Sequence, residues 1–144
     1  EQEEHARNNP QDLQAQLLHA AALRRGLATN KARYKLQQLA DKFPNEGGVW
    51  IQLAALSRRQ DGSVTRQGAE QAQKALDLGL PKPESRLFAQ MLLGQYAMAR
   101  EKMETAVTHL TAAIGEAQQL PPSNGQERQL AQLYYLRSQA HRRL

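Results

Sequence analysis

The chain has 144 residues, 40% of them apolar, with a formal net charge of +5. The absence of cysteine excludes disulfides, thiolate metal sites and a cysteine nucleophile, and no apolar run approaches the roughly 20 residues that a membrane helix needs. A length of this order holds one domain with a substantial core, and abundant Ala and Leu with few β-branched residues point to an all-α fold.

Residues 1–12 hold Glu1, Glu3, Glu4 and Asp12 against Arg7, a net −3 that leaves +8 on the rest of a +5 chain. The acidic stretch 1–11 is expected to fray, and the helical domain is expected over 12–144. Asn9-Pro10-Gln11-Asp12 reads as a cap with proline in the first turn, opening a helix that runs to about Arg25 and ends at Gly26. A second helix starts at Thr29 or Asn30, carries Tyr34, Leu36, Leu39 and Ala40, and stops at Phe43-Pro44. The third, from about Gly48 to Gln60, spaces Trp50, Leu53, Ala54 and Leu56 for one buried stripe. Gly47-Gly48 reads as a turn after Pro44. Asp61-Gly62-Ser63 then breaks the chain, and Ser63 is placed to cap a fourth helix that presents Ala69, Ala72, Ala75 and Leu76 and ends at Gly79. Pro81 and Pro83 forbid its continuation. A fifth helix spans about Leu87 to Met98 and a sixth about Glu101 to Leu120, with neither glycine nor proline between them. Pro121-Pro122 ends the sixth, and Ser123-x-x-Gln126 resembles a capping box that opens a last helix to Leu144.

The chain also repeats itself. An apolar segment runs into paired arginines at Leu17–Arg25 and again, thirty-four residues on, at Ile51–Arg59. At that offset Gln16 falls on Trp50, Leu17 on Ile51, Ala20 on Ala54, and Arg24 and Arg25 on Arg58 and Arg59. Self-similarity at a fixed period of a few tens of residues marks stacked units, none of which can bury its apolar face alone.

Paired helices at this period, with small residues at fixed places, resemble tetratricopeptide repeats. Trp50, Leu53, Ala54, Gly68, Ala72 and Ala75 carry the middle unit. Leu93-Gly94, Ala97, Ala106, Leu110 and Ala113 carry the third, and Ala20, Ala32, Leu36, Leu39 and Pro44 the first. Short side chains suit those places because two helices cross closely only where side chains are small. The likeness covers about residues 12–120. It departs from the family pattern in having one early aromatic, no tyrosine a turn later, and an insertion around Asp61 to Val64. The resemblance implies a right-handed superhelix of antiparallel helix pairs, about three degenerate repeats with a C-terminal capping helix. The other architecture open to an Ala- and Leu-rich chain is an ordinary helical bundle.

It also implies a scaffold or adaptor that binds a peptide or partner protein on a concave face lined by the first helix of each unit. Helical spacing turns Gln14, Leu17, Ala21, Arg24 and Arg25 toward that face, then Ile51, Gln52, Ala55, Arg58 and Arg59, then Phe88, Met91, Gln95 and Met98. The arginine pairs are suited to carboxylates, either acidic side chains or a free C-terminus. Phe88, Met91 and Met98 suit an apolar side chain. Cationic side chains at helix C-termini are also favourable by about 0.3–1 kcal/mol with no ligand at all, and Trp50 suits the core. Repeat proteins of this type serve as assembly factors for bacterial envelope complexes, and the Gln- and Ala-rich, cysteine-free composition suits a periplasmic segment. Two other readings stay open. One is a nucleic-acid module, motivated by the +8 body and opposed by an aromatic content of 5%. The other is a self-associating segment of a larger protein.

Catalytic patterns are missing from the sequence. His5, His19, His109 and His141 stand far apart, none at metal-ligand spacing, and His19 is expected to pack, since it falls on Leu53. No glycine cluster cradles a phosphate, and Asp61-Gly62-Ser63 lacks the oxygen ligands of a calcium loop. No enzyme activity, cofactor or metal is expected.

Overall fold

The computed structural model describes Leu13, Gln16, Leu17, His19, Ala20, Ala21 and residues 29–144. The expectations for residues 1–11, the first cap, Gln14, Arg24, Arg25 and Gly26 lie outside them. The described residues are all-α, with the first six in helical conformation. Six bounded helices follow: α1 (Thr29–Lys42), α2 (Gly47–Leu56), α3 (Arg66–Leu78), α4 (Pro83–Ala99), α5 (Met103–Gln118) and α6 (Asn124–Arg142). An isolated bridge between Arg58 and Val64 is the nearest thing to a strand among the described residues.

Helices pack in chain order. Each lies against its neighbours in sequence, and α2 also touches α4. Burial is accordingly divided into local clusters. Leu13, Leu17, Ala20, Leu36, Val49 and Leu53 join the N-terminal helical residues to α1 and α2. Ile51, Ala54, Ala72, Ala75, Ala89 and Leu92 join α2, α3 and α4, and Leu87, Leu110, Ile114 and Leu133 join α4, α5 and α6. Trp50 packs against the first two clusters, its Nε1 donating to the Pro44 carbonyl at 3.0 Å. The Lys74 ammonium lies 4.2 Å from its ring centre, a cation–π contact.

Small residues set the closest approaches. A Cβ on Gly47 would overlap the Gly79 carbonyl oxygen and come within 2.9 Å of that of Ala75. Gly47 and Gly48 are therefore the first residues of α2 and not a turn, with Gly47 seated on the end of α3. Gly79 caps α3 at φ +104, a region that glycine alone enters without strain.

Four boundaries differ from the sequence expectation. α2 stops at Leu56 instead of Gln60, with Ser57 as its C-cap and the Ser57 hydroxyl within hydrogen-bond distance of Leu53 O (3.0 Å) and Gln71 Oε1 (2.7 Å). Thr65 rather than Ser63 caps α3: its hydroxyl accepts from Gly68 N (3.0 Å) and donates to Ser57 O (2.8 Å), tying both ends of the insertion together. α4 starts at Pro83, four residues before Leu87, because proline fits the first turn of a helix, where its missing N–H is not needed. The α4–α5 link is only Arg100 to Lys102. Here Lys102 N donates to Ala97 O (2.9 Å) and Glu101 N to Met98 O (3.1 Å), a Schellman motif. Its left-handed position, normally glycine, is held by Glu101 at φ 62.

The last helix opens as half a capping box. Gln126 N donates to Ser123 Oγ at 3.0 Å, but the Gln126 side chain does not return the bond. Its Nε2 donates instead to Ala117 O (3.1 Å) and Leu120 O (2.9 Å) at the end of α5, where helix carbonyls lack intrahelical partners.

Candidate functional site

A cleft of about 210 Å³ opens between the N-terminal helical residues, α2 and α4. Its apolar walls are Ala21, Ile51, Ala55 and Phe88; its polar groups are Gln52, Glu84 and Ser85. Helical geometry explains why these residues meet. Ile51 and Ala55 stand one turn apart on α2, as Glu84 and Phe88 do on α4. Because α2 lies against both α3 and α4, Ile51 is buried among α3 and α4 side chains while Ala55 stays half-exposed at the opening. The volume falls below the roughly 300–1,000 Å³ of pockets that enclose whole small molecules. It suits one side chain of a larger partner.

Gln52 supplies the most telling polar atom. Its Nε2 donates to the Leu17 carbonyl at 3.1 Å, which orients the amide. Its Oε1 is buried and has no hydrogen-bond partner among the described residues. Such an acceptor costs about 1–3 kcal/mol while it stays unsatisfied. Glu84 is the charged side chain of the described lining. It is exposed and sits in the first turn of α4, where the helix dipole favours a carboxylate.

The expected site residues divide between different surroundings. Gln52 and Phe88 line the cleft together, with Ala21, Ile51 and Ala55 beside them. Arg58 and Gln95 also meet, Arg58 Nη2 donating to Gln95 Oε1 at 3.3 Å. The Arg58 guanidinium further donates to the Gly62 carbonyl from Nε (3.1 Å) and Nη2 (2.9 Å). It therefore holds the insertion closed. Arg58 directly follows Ser57, the C-cap of α2. Arg59 is exposed, with a long 3.5 Å contact from Nη1 to Ser63 Oγ. Met91 and Met98 turn away from the cleft: both pack on the α4–α5–α6 cluster, Met98 also on the one around Met103, and Gln129 Nε2 reaches Met91 Sδ at 3.4 Å. Arg24 and Arg25 lie outside the described residues.

His19 is exposed rather than packed. The buried stripe of its segment is Leu13, Gln16, Leu17 and Ala20, and at 100° per residue His19 falls off its edge. Glu84 and Ser85 carried no signal as site residues, because a helix start at Leu87 leaves them in a loop. The proline at position 83 was the available clue.

Elsewhere, a wider depression of about 450 Å³ lies around Glu101, Lys102, Glu104 and Arg143, where Arg143 already pairs with Glu101. Among the described residues no group of three His, Asp or Glu could hold a metal ion, and no helix is long and apolar enough to cross a membrane. Compared with protein-family models, curated proteins and solved structures, the chain matches none.

Proposed function

We propose that the chain is a protein-binding scaffold, a degenerate tetratricopeptide-like superhelix whose concave side receives an extended segment of a partner. One observation carries this reading: the cleft is built from the helices that the resemblance makes the first of each successive unit, the N-terminal helical residues, α2 and α4. Chain-order packing and burial divided into local clusters support it, since stacked units bury only the faces they share with neighbours. The apolar walls of the cleft suit a side chain carried on an extended backbone. The function is binding, with no reaction assigned.

Titration of the chain with partner-derived or library-selected peptides, followed by amide chemical shifts, tests this. Binding is expected to move the resonances of Ile51, Ala55 and Phe88 first. Shifts confined to α6, or to the outer side of α3, would overturn it.

A further inference from the structure

We propose that the segment this cleft takes is cationic: a polypeptide stretch that places a lysine or arginine on Glu84 and, within a few residues of it, an apolar side chain between Ile51, Ala55 and Phe88. The inference rests on the scaffold reading above and narrows it to one class of partner.

Two features of the site combine. Ile51, Ala55 and Phe88 enclose a space sized for one side chain, as argued above from its 210 Å³. Gln52 lines the same space, but its Oε1 is shielded from solvent and does not choose the occupant. Glu84 stands one helical turn before Phe88 on the same face of α4, so a cation placed there is about 6 Å along the axis from the apolar contact. Glu84 is therefore the charged side chain that an occupant of the described lining meets, and a carboxylate placed on it meets repulsion.

The Arg58 guanidinium, which the sequence suggested for an acidic ligand, is already committed to Gly62 O and Gln95 Oε1. That leaves the two ends of the α2–α4 face unlike each other. Seven residues beyond Phe88 on α4, about 10 Å along the helix, Gln95 and Arg58 close off one end as a satisfied pair. The Glu84 end stays open. The +5 net charge opposes approach of a cationic segment at long range, so the pairing with Glu84 governs selectivity at ~0.15 M salt, where charges beyond about 8 Å are screened. Exposed pairs of this kind set register and choice of partner more than total affinity.

The test uses the full chain and a phage library of random heptapeptides, selected at physiological salt against the wild type, Glu84→Lys and Ala55→Gln. Ala55→Gln fills the cleft without adding charge. The expected result is enrichment on the wild type of peptides with Lys or Arg one to four positions from a large apolar residue. Glu84→Lys is expected to weaken the leading peptide by about threefold to tenfold and to shift selection toward acidic residues. Enrichment of acidic peptides, or of basic ones indifferent to Glu84→Lys, overturns the cationic class but leaves the scaffold reading standing if Ala55→Gln abolishes binding. If no peptide is enriched on the wild type over Ala55→Gln, or if the leading peptide leaves the Ile51, Ala55 and Phe88 resonances of the wild type unmoved, both fall.

Discussion

Gly94 of α4 lies directly over Leu110 of α5: a Cβ added to it would stand 2.9 Å from both Cγ and Cδ2 of a leucine that is fully buried. The nearest backbone atom of α5, Ala106 O, is 3.7 Å from the same point. The crossing of these two helices is therefore set by the absence of one carbon atom.

Gly94→Ala is expected to destabilise the fold by about 1–3 kcal/mol from overpacking, reduced by up to about 1 kcal/mol of helix propensity gained. Gly115 of α5 is the control. It is exposed, with nothing within 4 Å of an added Cβ, so Gly115→Ala should raise stability by about 0.5–1 kcal/mol. Urea unfolding monitored by circular dichroism reads both signs.

Arg58 and Arg59 look alike in sequence and should behave differently. Arg58→Glu removes two bonds to Gly62 O and one to Gln95, and is expected to cost about 1–2 kcal/mol and to expose the loop to limited proteolysis. Arg59→Glu should stay within about 0.5 kcal/mol of the wild type, as an exposed substitution does. A charge reversal at Arg58 is therefore a poor probe of ligand binding alone, since it also loosens the insertion.

Glu101 pays for its left-handed backbone, since that region costs a non-glycine residue about 1–2 kcal/mol. Glu101→Gly removes the strain and also the exposed pair with Arg143, worth at most about 1 kcal/mol. The net expectation is a gain of a few tenths to about 1 kcal/mol, read as a higher Tm. Glu101→Ala, which loses the pair and keeps the strain, should lower it.

Burial lowers the pKa of His109 below its ordinary value of 6.5, and its Nδ1 lies 2.7 Å from Gln90 Oε1. The folded chain thus takes up this proton less readily than the unfolded one. Above about pH 6.5 the group is neutral in both states and costs nothing; as pH falls below that, the unfolded state is protonated first and stability declines until the folded-state pKa is reached. His109→Gln should flatten the stability profile between neutral and mildly acidic pH. A separate loss is expected further down, near and below pH 3.8, because bonds from the Ser63 hydroxyl and backbone N–H lower the Asp61 pKa.

The helices themselves were legible. Leu36 and Leu39, Leu53 and Ala54, Ala72 and Ala75, and Leu110 and Ala113 repeat at helical spacing, and all eight are buried. The breaks at Pro44, Gly79 and Pro121-Pro122 are local chemistry, which any chain with those residues obeys. What misled was a choice between equivalent local signals. Ser63 and Thr65 are both able caps, and only the Ser57 carbonyl, eight residues away, selects Thr65. Glu101 gave no sign of a turn because its conformation is imposed by the packing of α4 on α5 rather than preferred by its side chain.

The candidate site was half visible for the same reason. Helical spacing alone put Gln52, Ala55 and Phe88 toward one side, and the cleft contains them. It put Met91 there too, about 60° around α4 from Phe88, and spacing cannot say which neighbour each flank will meet. The sequence by itself determined the helices and the small residues at which they cross, because those depend on residues within a turn or two of one another. Only the tertiary structure decided that Phe88 faces α2 while Met91 faces α6, that Arg58 is spent on Gly62, and that Gln52 Oε1 is buried unpaired, because each of those outcomes depends on how helices far apart in the chain are set against one another.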